Sequence, residues 1–247
     1  MRIAVVADIH GNVRALRAVM EDLKQVAPDS VVNLGDCVSG PLEAAETADV
    51  LMSLAWTTIR GNHDRQLLEQ APEKMGRSDA AAFGELKNHH HAWLSTLEET
   101  ATIENVFLCH GTPGSDTTYL LETVQQDGQV RLATQAEVTK RLGSEHSPVI
   151  LCGHTHVPRI VMLPDGRTVI NPGSVGLQAF SDLEPYNHAT ETGAPHARYA
   201  VVERAKAADP WRVLFRIVAY DWNGAAERAA AKGREDWARW LRTGYAN

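Results

Sequence analysis

The chain opens on an unbroken apolar run, Ile3 to Ala7, with β-branched residues at three positions. A run without alternation predicts a strand buried on both faces, as inside a parallel sheet. It stops abruptly at Asp8, Ile9, His10 and Gly11. Asn12 then offers a helix N-cap, and Leu16, Val19, Met20 and Leu23 recur at helical spacing over 13–26. Residues 30–34 predict a second short strand that runs into Gly35 and Asp36. Strand, helix, strand implies a right-handed crossover and a parallel pair, which brings Asp36 to the same sheet edge as Asp8. The spacing predicts a helix over 43–54 and a third strand over 56–60, and that strand delivers Gly61, Asn62, His63 and Asp64.

Farther on, 65–97 reads as mostly helical, with a break near 72–78. Residues 101–104 and 106–109 predict two strands joined by a tight turn at Asn105, the second ending in His110 and Gly111. The stretch 112–147 is polar and Gly-containing, with one helix expected over 134–142. It is too long for an ordinary loop, so it is a candidate lid or substrate-recognition insertion. A strand over 149–152 leads into Gly153, His154, Thr155 and His156. Residues 159–163 and 168–170 flank Pro164-Asp165-Gly166 and predict a hairpin. Asn171 to Gly176 forms a stiff loop, and 180–196 carries no clear pattern. The last strands are expected over 197–203 and 211–220, followed by an Ala- and Arg-rich helical stretch over 222–241 broken at Gly233. Without an internal repeat or a low-complexity linker, one domain over 1–247 is the expectation.

Composition narrows the partners. A net charge of -7 leaves no basic footprint for a nucleic-acid backbone. A small anionic substrate stays compatible where bound cations dominate a site. No apolar run approaches the roughly eighteen residues of a membrane span, and the first residues lack the pattern of a signal peptide. Cys37, Cys109 and Cys152 make no disulfide framework and fit a reducing, cytoplasmic setting. They read as small buried residues; the sharper reading is that oxidation of Cys37 or Cys109 disturbs the neighbouring site. Oligomeric state is left open.

The chemistry lies in what the strands deliver. Asp8, His10, Asp36, Asn62, His63, His110, His154 and His156 are oxygen or imidazole groups, with no thiolate among them. They are too many for one tetrahedral structural zinc, which takes four ligands and usually includes cysteine. They suit two adjacent divalent ions that share a carboxylate. Such a pair, about 3.5–4 Å apart, clamps the attacking and leaving oxygens of an in-line displacement and lowers the pKa of a bound water.

DIH, then GD, then GNHD, then an isolated His-Gly, then GHTH, in this order and at strand ends, resembles the calcineurin-like metallophosphoesterase superfamily. The match spans residues 1 to about 176. The run GDCVSGPLE, with GNHD and NPGSVG, is similar to the small bacterial phosphodiesterase branch. The resemblance implies an α/β fold: a four-layer α-β-β-α sandwich of two mixed sheets flanked by helices. It implies Asp8, His10 and His156 on one metal, Asn62, His110 and His154 on another, and Asp36 bridging. His63 would face the scissile phosphate, stabilise its charge and protonate the leaving oxygen. The cofactor expected is two divalent ions, which Mn, Fe, Zn, Ni or Co could supply. The expected reaction is hydrolysis of small phosphodiesters or nucleotides by a metal-bridging hydroxide. Phosphomonoester or dinucleoside polyphosphate hydrolysis is the alternative, and a non-catalytic scaffold of the same fold the rival from another class.

The chain also departs from the protein phosphatases of that superfamily. Cys37, Val38, Ser39 and Gly40 follow Asp36, so the acid that orients the catalytic histidine there, and the Arg that grips phosphate, are missing. The orienter of His63 is therefore open, with Asp64 merely adjacent. His89, His90 and His91 read as surface or structural residues, since neighbours on a helix fan out and do not converge. Tyr119 reads equally as a base-stacking or a packing residue. Trp237 and Trp240 read as the apolar face of a packed tail helix, with a dimer contact as the lesser reading.

Overall fold

The computed structural model describes residues 1–246. The first apolar run forms β1 (Arg2–Val6), followed by α1 (Val13–Val26), β2 (Ser30–Asn33), α2 (Ala44–Met52) and the two-residue β3 (Thr57–Thr58). Asn12 caps α1, its side-chain oxygen accepting from the Ala15 amide. Three helices follow, α3 (Asn62–Glu69), α4 (Arg77–Phe83) and α5 (Asn88–Leu94), with a single 3₁₀ turn at Pro72–Lys74. The chain then forms β4 (Thr100–Ile103), β5 (Val106–Cys109), β6 (Glu122–Val124), β7 (Val130–Leu132), α6 (Gln135–Leu142) and β8 (Val149–Leu151). The remainder is β9 (Arg159–Met162), β10 (Thr168–Asn171), β11 (Ala179–Asp182), β12 (His188–Glu191), β13 (Ala197–Glu203), β14 (Arg212–Val218), α7 (Trp222–Ala231) and α8 (Glu235–Thr243).

Two five-stranded sheets carry the fold, in the orders β14-β13-β1-β2-β3 and β4-β5-β8-β10-β9. Both are mixed. In the first, β1, β2 and β3 are parallel and β13 runs antiparallel to β1. In the second, β5, β8 and β10 are parallel while β4 and β9 are antiparallel edges. Alternate residues of β1 serve different layers. Ile3 and Val5 pack against Val106, Leu108, Val149 and Leu151 of the second sheet. Ala4 and Val6 pack toward Leu16 and Val19 of α1 and Ala48 of α2. The unbroken apolar run is thus the signature of a strand between two cores. On the outer face of the second sheet, Leu120, Leu121, Val138 and Leu142 cover Cys109, Ile150, Cys152 and Val161. The layers are helices, sheet, sheet and the α6 segment, the expected four-layer arrangement. No helix among the described residues is long and apolar enough to cross a membrane.

Three segments differ from the sequence reading. The third strand is shorter because α3 begins at once: Asp64 accepts from the Gly61 amide at 3.0 Å, so the GNHD turn winds directly into a helix. The insertion 112–147 gains a small hairpin, β6–β7, ahead of its helix. Residues 180–196, which showed no pattern, contain the hairpin β11–β12, with Asp182 pairing to His188. Its strands alternate small, polar and aromatic residues, so periodicity carries no signal. The Asp182 side chain turns the chain by accepting from the Leu183 amide at 2.6 Å and the Glu184 amide at 3.1 Å.

Candidate metal centre and cleft

The ends of β1, β2, β5 and β8 and the start of α3 converge on one buried spot. Asp8, His10, Asp36, His154 and His156 all hold left-handed backbone there, with φ between 52° and 71°. Side chains at such positions cost about 1–2 kcal/mol each, so they mark sites where a particular group is needed. The β2 and β3 turns press together so closely that a Cβ on Gly61 would lie 2.2 Å from Asp36 Oδ1. Asp64 ties these two turns, accepting from the amides of Asp36 at 2.8 Å and Cys37 at 3.0 Å.

Two groups of donors result. One ligand atom each from Asp8, His10 and His156 lie within 4.8 Å of one another, and the same holds for Asp36, His110 and His154. Asn62 joins the second group, its Oδ1 3.1 Å from His110 Nε2. Asp36 reaches toward both: its Oδ2 is 3.3 Å from His110 Nε2 and 3.8 Å from His10 Nε2. The seven residues that the resemblance implied as ligands are therefore brought together, and Asp36 stands between the two groups.

Each of the four inner histidines is fixed by a backbone carbonyl. His10 Nδ1 donates to Ser39 O at 3.0 Å, His110 Nδ1 to Leu34 O at 2.8 Å and His156 Nδ1 to Leu177 O at 2.7 Å. His154 uses the other nitrogen, Nε2 donating to Thr117 O at 3.1 Å. A carbonyl only accepts, so each ring spends one N–H there and turns its second nitrogen, a lone pair in the neutral ring, toward the centre. His10 Nε2 and His156 Nε2 then face each other at 3.1 Å. Two such lone pairs repel unless something electropositive lies beside them. Asp8 Oδ2 is buried with no hydrogen-bond partner. Burial pushes the Asp8 carboxyl up to about 8, with Asp36 adding to the rise. Burial also lowers His10 and His154 to about 4, and His156 farther. Burial pushes Asp36 up too, but His110, His63 and His10 outweigh it and hold this carboxylate well below its usual range. Burial works against protonation of His110 as well, but Asp36 outweighs it and raises this imidazole to about 10. Three imidazoles held neutral, a fourth that must give up its proton to bind metal, a carboxylate held ionised and an orphaned buried carboxylate oxygen fit divalent cations.

His63 stands apart. Its side chain, 31% exposed, faces the cleft, and its Nδ1 donates to Asp79 Oδ1 at 2.8 Å. Asp79, on α4, also accepts from Ser39 Oγ at 2.6 Å. Asp79, not Asp64, orients this histidine. Sequence reasoning missed it because it lies sixteen residues away and in no motif. The one available cue was an acid on the buried side of the short helix RSDAAAF. Burial works against protonation of His63, but Asp36 and then Asp79 outweigh it and raise its pKa to about 9.

Other residues resolve more simply. The three cysteines are buried, and burial pushes each thiol upward, which disfavours the reactive thiolate. Tyr119 is buried, its hydroxyl 2.8 Å from His188 Nε2 and its ring edge-on to His154, which is the packing reading. His89 and His90 do converge, contrary to the helical expectation, with Nε2 atoms 3.4 Å and 2.9 Å from Asp49 Oδ1. His90 Nδ1 accepts from the Lys87 amide, so its Nε2 carries the proton and donates to Asp49. His90 is thereby spent on capping α5, although ligand atoms of Asp49, His89 and His90 lie within 4.8 Å of one another at the surface.

The cleft over the centre has two unequal arms. The smaller, about 240 Å³, is lined by His10, His156, Ser78, Phe180, Arg234, Trp237 and Trp240. The larger, about 770 Å³, is lined by Thr117, Thr118, Glu122, Thr123, Arg141 and Glu184. Both include Asn62, His63, His154 and Asp182, so they meet beside His63. The tail helix α8 is packed as expected, but it also walls the site: Trp237 lies edge-on to His10 at 6.0 Å between ring centroids. Arg234, just before α8, donates from one terminal nitrogen to Ser78 Oγ at 3.0 Å.

Comparison with known proteins bears on the family and the fold. The model of the calcineurin-like phosphoesterase superfamily domain matches residues 1–191. An uncharacterized protein of Methanocaldococcus jannaschii is 26% identical over 199 residues, covering 70% of this chain and 76% of that protein. Among solved structures, a metallophosphoesterase from Sphaerobacter thermophilus superposes with a TM-score of 0.76 at 23% identity, covering 99% of each chain.

Proposed function

This chain belongs to the calcineurin-like phosphoesterase superfamily, and on that footing we propose that it hydrolyses small phosphodiesters at a pair of divalent cations. The observation that carries the diester reading is the two-armed cleft, about 240 Å³ on one side and 770 Å³ on the other, meeting beside His63. A phosphomonoester has one substituent and leaves an arm empty; a diester fills both. The insertion 112–147 supplies Thr117, Thr118, Glu122 and Thr123 to the wider arm, which gives it a role in substrate recognition.

Asp8, His10 and His156 would hold one cation and Asn62, His110 and His154 the other, with Asp36 serving both. Such cations supply Lewis acidity to the phosphoryl oxygens and lower the pKa of bound water; Mn, Fe, Zn, Ni and Co all suit these donors. The chain's own contribution is positional. The carbonyls of Ser39, Leu34, Leu177 and Thr117 keep the four inner imidazoles turned as bases. His63, kept protonated by Asp79 and Asp36, donates from Nε2 to the phosphate and passes that proton to the departing oxygen. Asp79 fixes which nitrogen does so. Solvent is the nucleophile in this reading, with no covalent enzyme intermediate, and the three thiols are buried. Free buried thiols also suit a cytoplasmic location. An intact donor set with His63 in place argues against a non-catalytic scaffold.

The test is a matrix of metals against substrates. Mn, Fe, Zn, Ni and Co are each paired with bis(4-nitrophenyl) phosphate, 4-nitrophenyl phosphate and a dinucleoside polyphosphate. The diester should exceed the monoester in kcat/KM by about tenfold or more, one arm's binding being worth at least ~1.4 kcal/mol. A monoester preference would reassign the chain to phosphomonoester hydrolysis. Absence of turnover with every metal would return it to the scaffold reading.

A further inference from the structure

One imidazole depends on a distant segment. His10, His110 and His156 take their orienting carbonyls from Ser39, Leu34 and Leu177, beside the strands of the two sheets. His154 takes its own from Thr117, in the loop that opens the insertion. It is also the ring held through Nε2 rather than Nδ1, which leaves Nδ1 as the nitrogen it can offer to the centre. What holds that loop therefore decides whether His154 presents a lone pair or an N–H.

The loop is compact and pinned at one point. Thr112 and Ser115 pair through their backbones, Thr112 N donating to Ser115 O at 2.7 Å. Next to Thr117, Asp116 receives a two-pronged bond from Arg65, Nε to Oδ2 at 2.7 Å and a terminal nitrogen to Oδ1 at 3.1 Å. A fork of this kind fixes direction as well as distance. Arg65 lies on α3, one turn beyond Asn62. The same helix thus supplies a donor to the second group and holds the loop that orients another donor of that group.

We propose that Arg65 and Asp116 form a positioning clamp for the second cation: the pair seats Thr117 so that its carbonyl holds His154 with Nδ1 facing Asn62, His110 and Asp36. The clamp touches none of the residues that orient His10 and His156, and its links to the first group run through Asp36 and through the His154 amide, which donates to Asp8 Oδ1 at 3.2 Å, so its effect falls mainly on one of the two cation positions. It rests on the two-cation reading of the site. Because Thr117 and Thr118 also line the wider arm, whatever occupies that arm presses on the same loop and bears on how tightly the second cation is held.

The experiment is a stepwise Mn²⁺ titration by calorimetry of the wild-type chain, Asp116→Asn, Arg65→Met and the exchanged pair Arg65→Asp with Asp116→Arg. Nitrogen NMR of the imidazoles in the metal-free proteins runs alongside. Each single variant should weaken one of the two binding steps by about tenfold or more and leave the other within about twofold, the scale of effect for groups that orient ligands. His154 should change from one tautomer to a mixture. The exchanged pair should recover most of the loss, which a merely loosened fold would not. Equal weakening of both steps, or no change in either, would overturn the clamp. A wild-type chain with one binding step would sink the two-cation reading instead; the His154 spectrum would then decide the clamp alone, an unchanged tautomer in Asp116→Asn disproving it.

Discussion

The turns that carry the candidate ligands and the walls that surround them are built on opposite terms. Of seven non-glycine residues with left-handed backbone among the described residues, five are Asp8, His10, Asp36, His154 and His156. Left-handed positions elsewhere in the fold, such as Gly128, Gly166 and Gly173, are largely given to glycine, which adopts them without strain. The walls, from the 112–147 insertion, the β11–β12 hairpin and the tail helices, owe their shape to ordinary hairpins, helices and packed aromatic rings. Apart from Ala27, which ends α1, and Glu104, in the β4–β5 turn, the chain accepts this strain where a given side chain has to stand at a given point. Chemistry should therefore reside in the turns and selectivity in the walls. Substitutions in the turns should change cation content or kcat; those in the walls should change KM.

The most damaging change should be Asp36→Ala, because this carboxylate lies within 3.3 Å of His110 and 3.8 Å of His10 and so touches both groups. Both cations should leave together, and kcat/KM should fall by roughly 10⁴-fold, in keeping with several kcal/mol of lost charge stabilisation. Metal analysis after desalting checks it; one tightly retained ion would show that Asp36 serves a single position. Next comes His63→Ala. Turnover should fall by about 10²–10⁴-fold, the usual worth of a positioned acid, while cation content stays at the wild-type level. Loss of metal would make His63 a ligand and erase the distinction between holding and reacting groups.

These two effects involve residues that were legible from the sequence, and the reason is physical. A strand buried on both faces has nowhere to put Asp8 or His154 except at its end, so apolar runs and the polar residues that stop them locate the site without a structure. The sandwich was legible for the same reason: Ile3 to Val6 of β1 and all of β5 and β8 are apolar because each lies between cores. Asp79, Arg234 and Trp237 were not legible. They reach the site through helix packing across long separations, and each resembles a surface acid, a surface cation or a core aromatic in a window of sequence. The β11–β12 hairpin was hidden because its turn is set by one Asp182 side chain rather than by a periodic pattern. Arg65 is one more helical cation in a window of sequence, and only the fold sets Asp116 opposite it.

Asp79→Asn tests whether a helix residue can belong functionally with the turns. His63 must be protonated to give up its proton, so activity should decline as pH rises through its pKa, which Asp36 and Asp79 hold at about 9 against the opposing effect of burial. Removing one of these two charges lowers that pKa. The alkaline limb of the kcat profile should then move to lower pH, with a loss at the optimum of about tenfold to a hundredfold, the scale for a group that orients a reacting one. Cation content should be unchanged. A limb that stays in place would mean that some other group sets it and that Asp79 only supports the fold.

The smallest effect should come from the wall. Arg234 is only 7% exposed, yet it lines the narrow arm beside Ser78, Trp237 and Trp240. Its Nε and one terminal nitrogen are held by Asp236 at 2.9 Å and 2.8 Å, so its charge is largely answered within the protein. What it has left to offer a substrate is an N–H or two. A hydrogen bond from a charged donor is worth about 1.5–3 kcal/mol, and sharing with Asp236 puts Arg234 at the lower end. Arg234→Met should raise KM for a diester by about tenfold and leave kcat within about twofold. Arg234→Lys should recover little, since an ammonium cannot make the forked contact to Asp236 and reach Ser78 at once. Should kcat fall instead with KM unmoved, Arg234 acts on the reacting phosphate rather than on a substituent. The tail helix would then belong with the strained turns, and the division between chemistry and selectivity would have to be redrawn through α8.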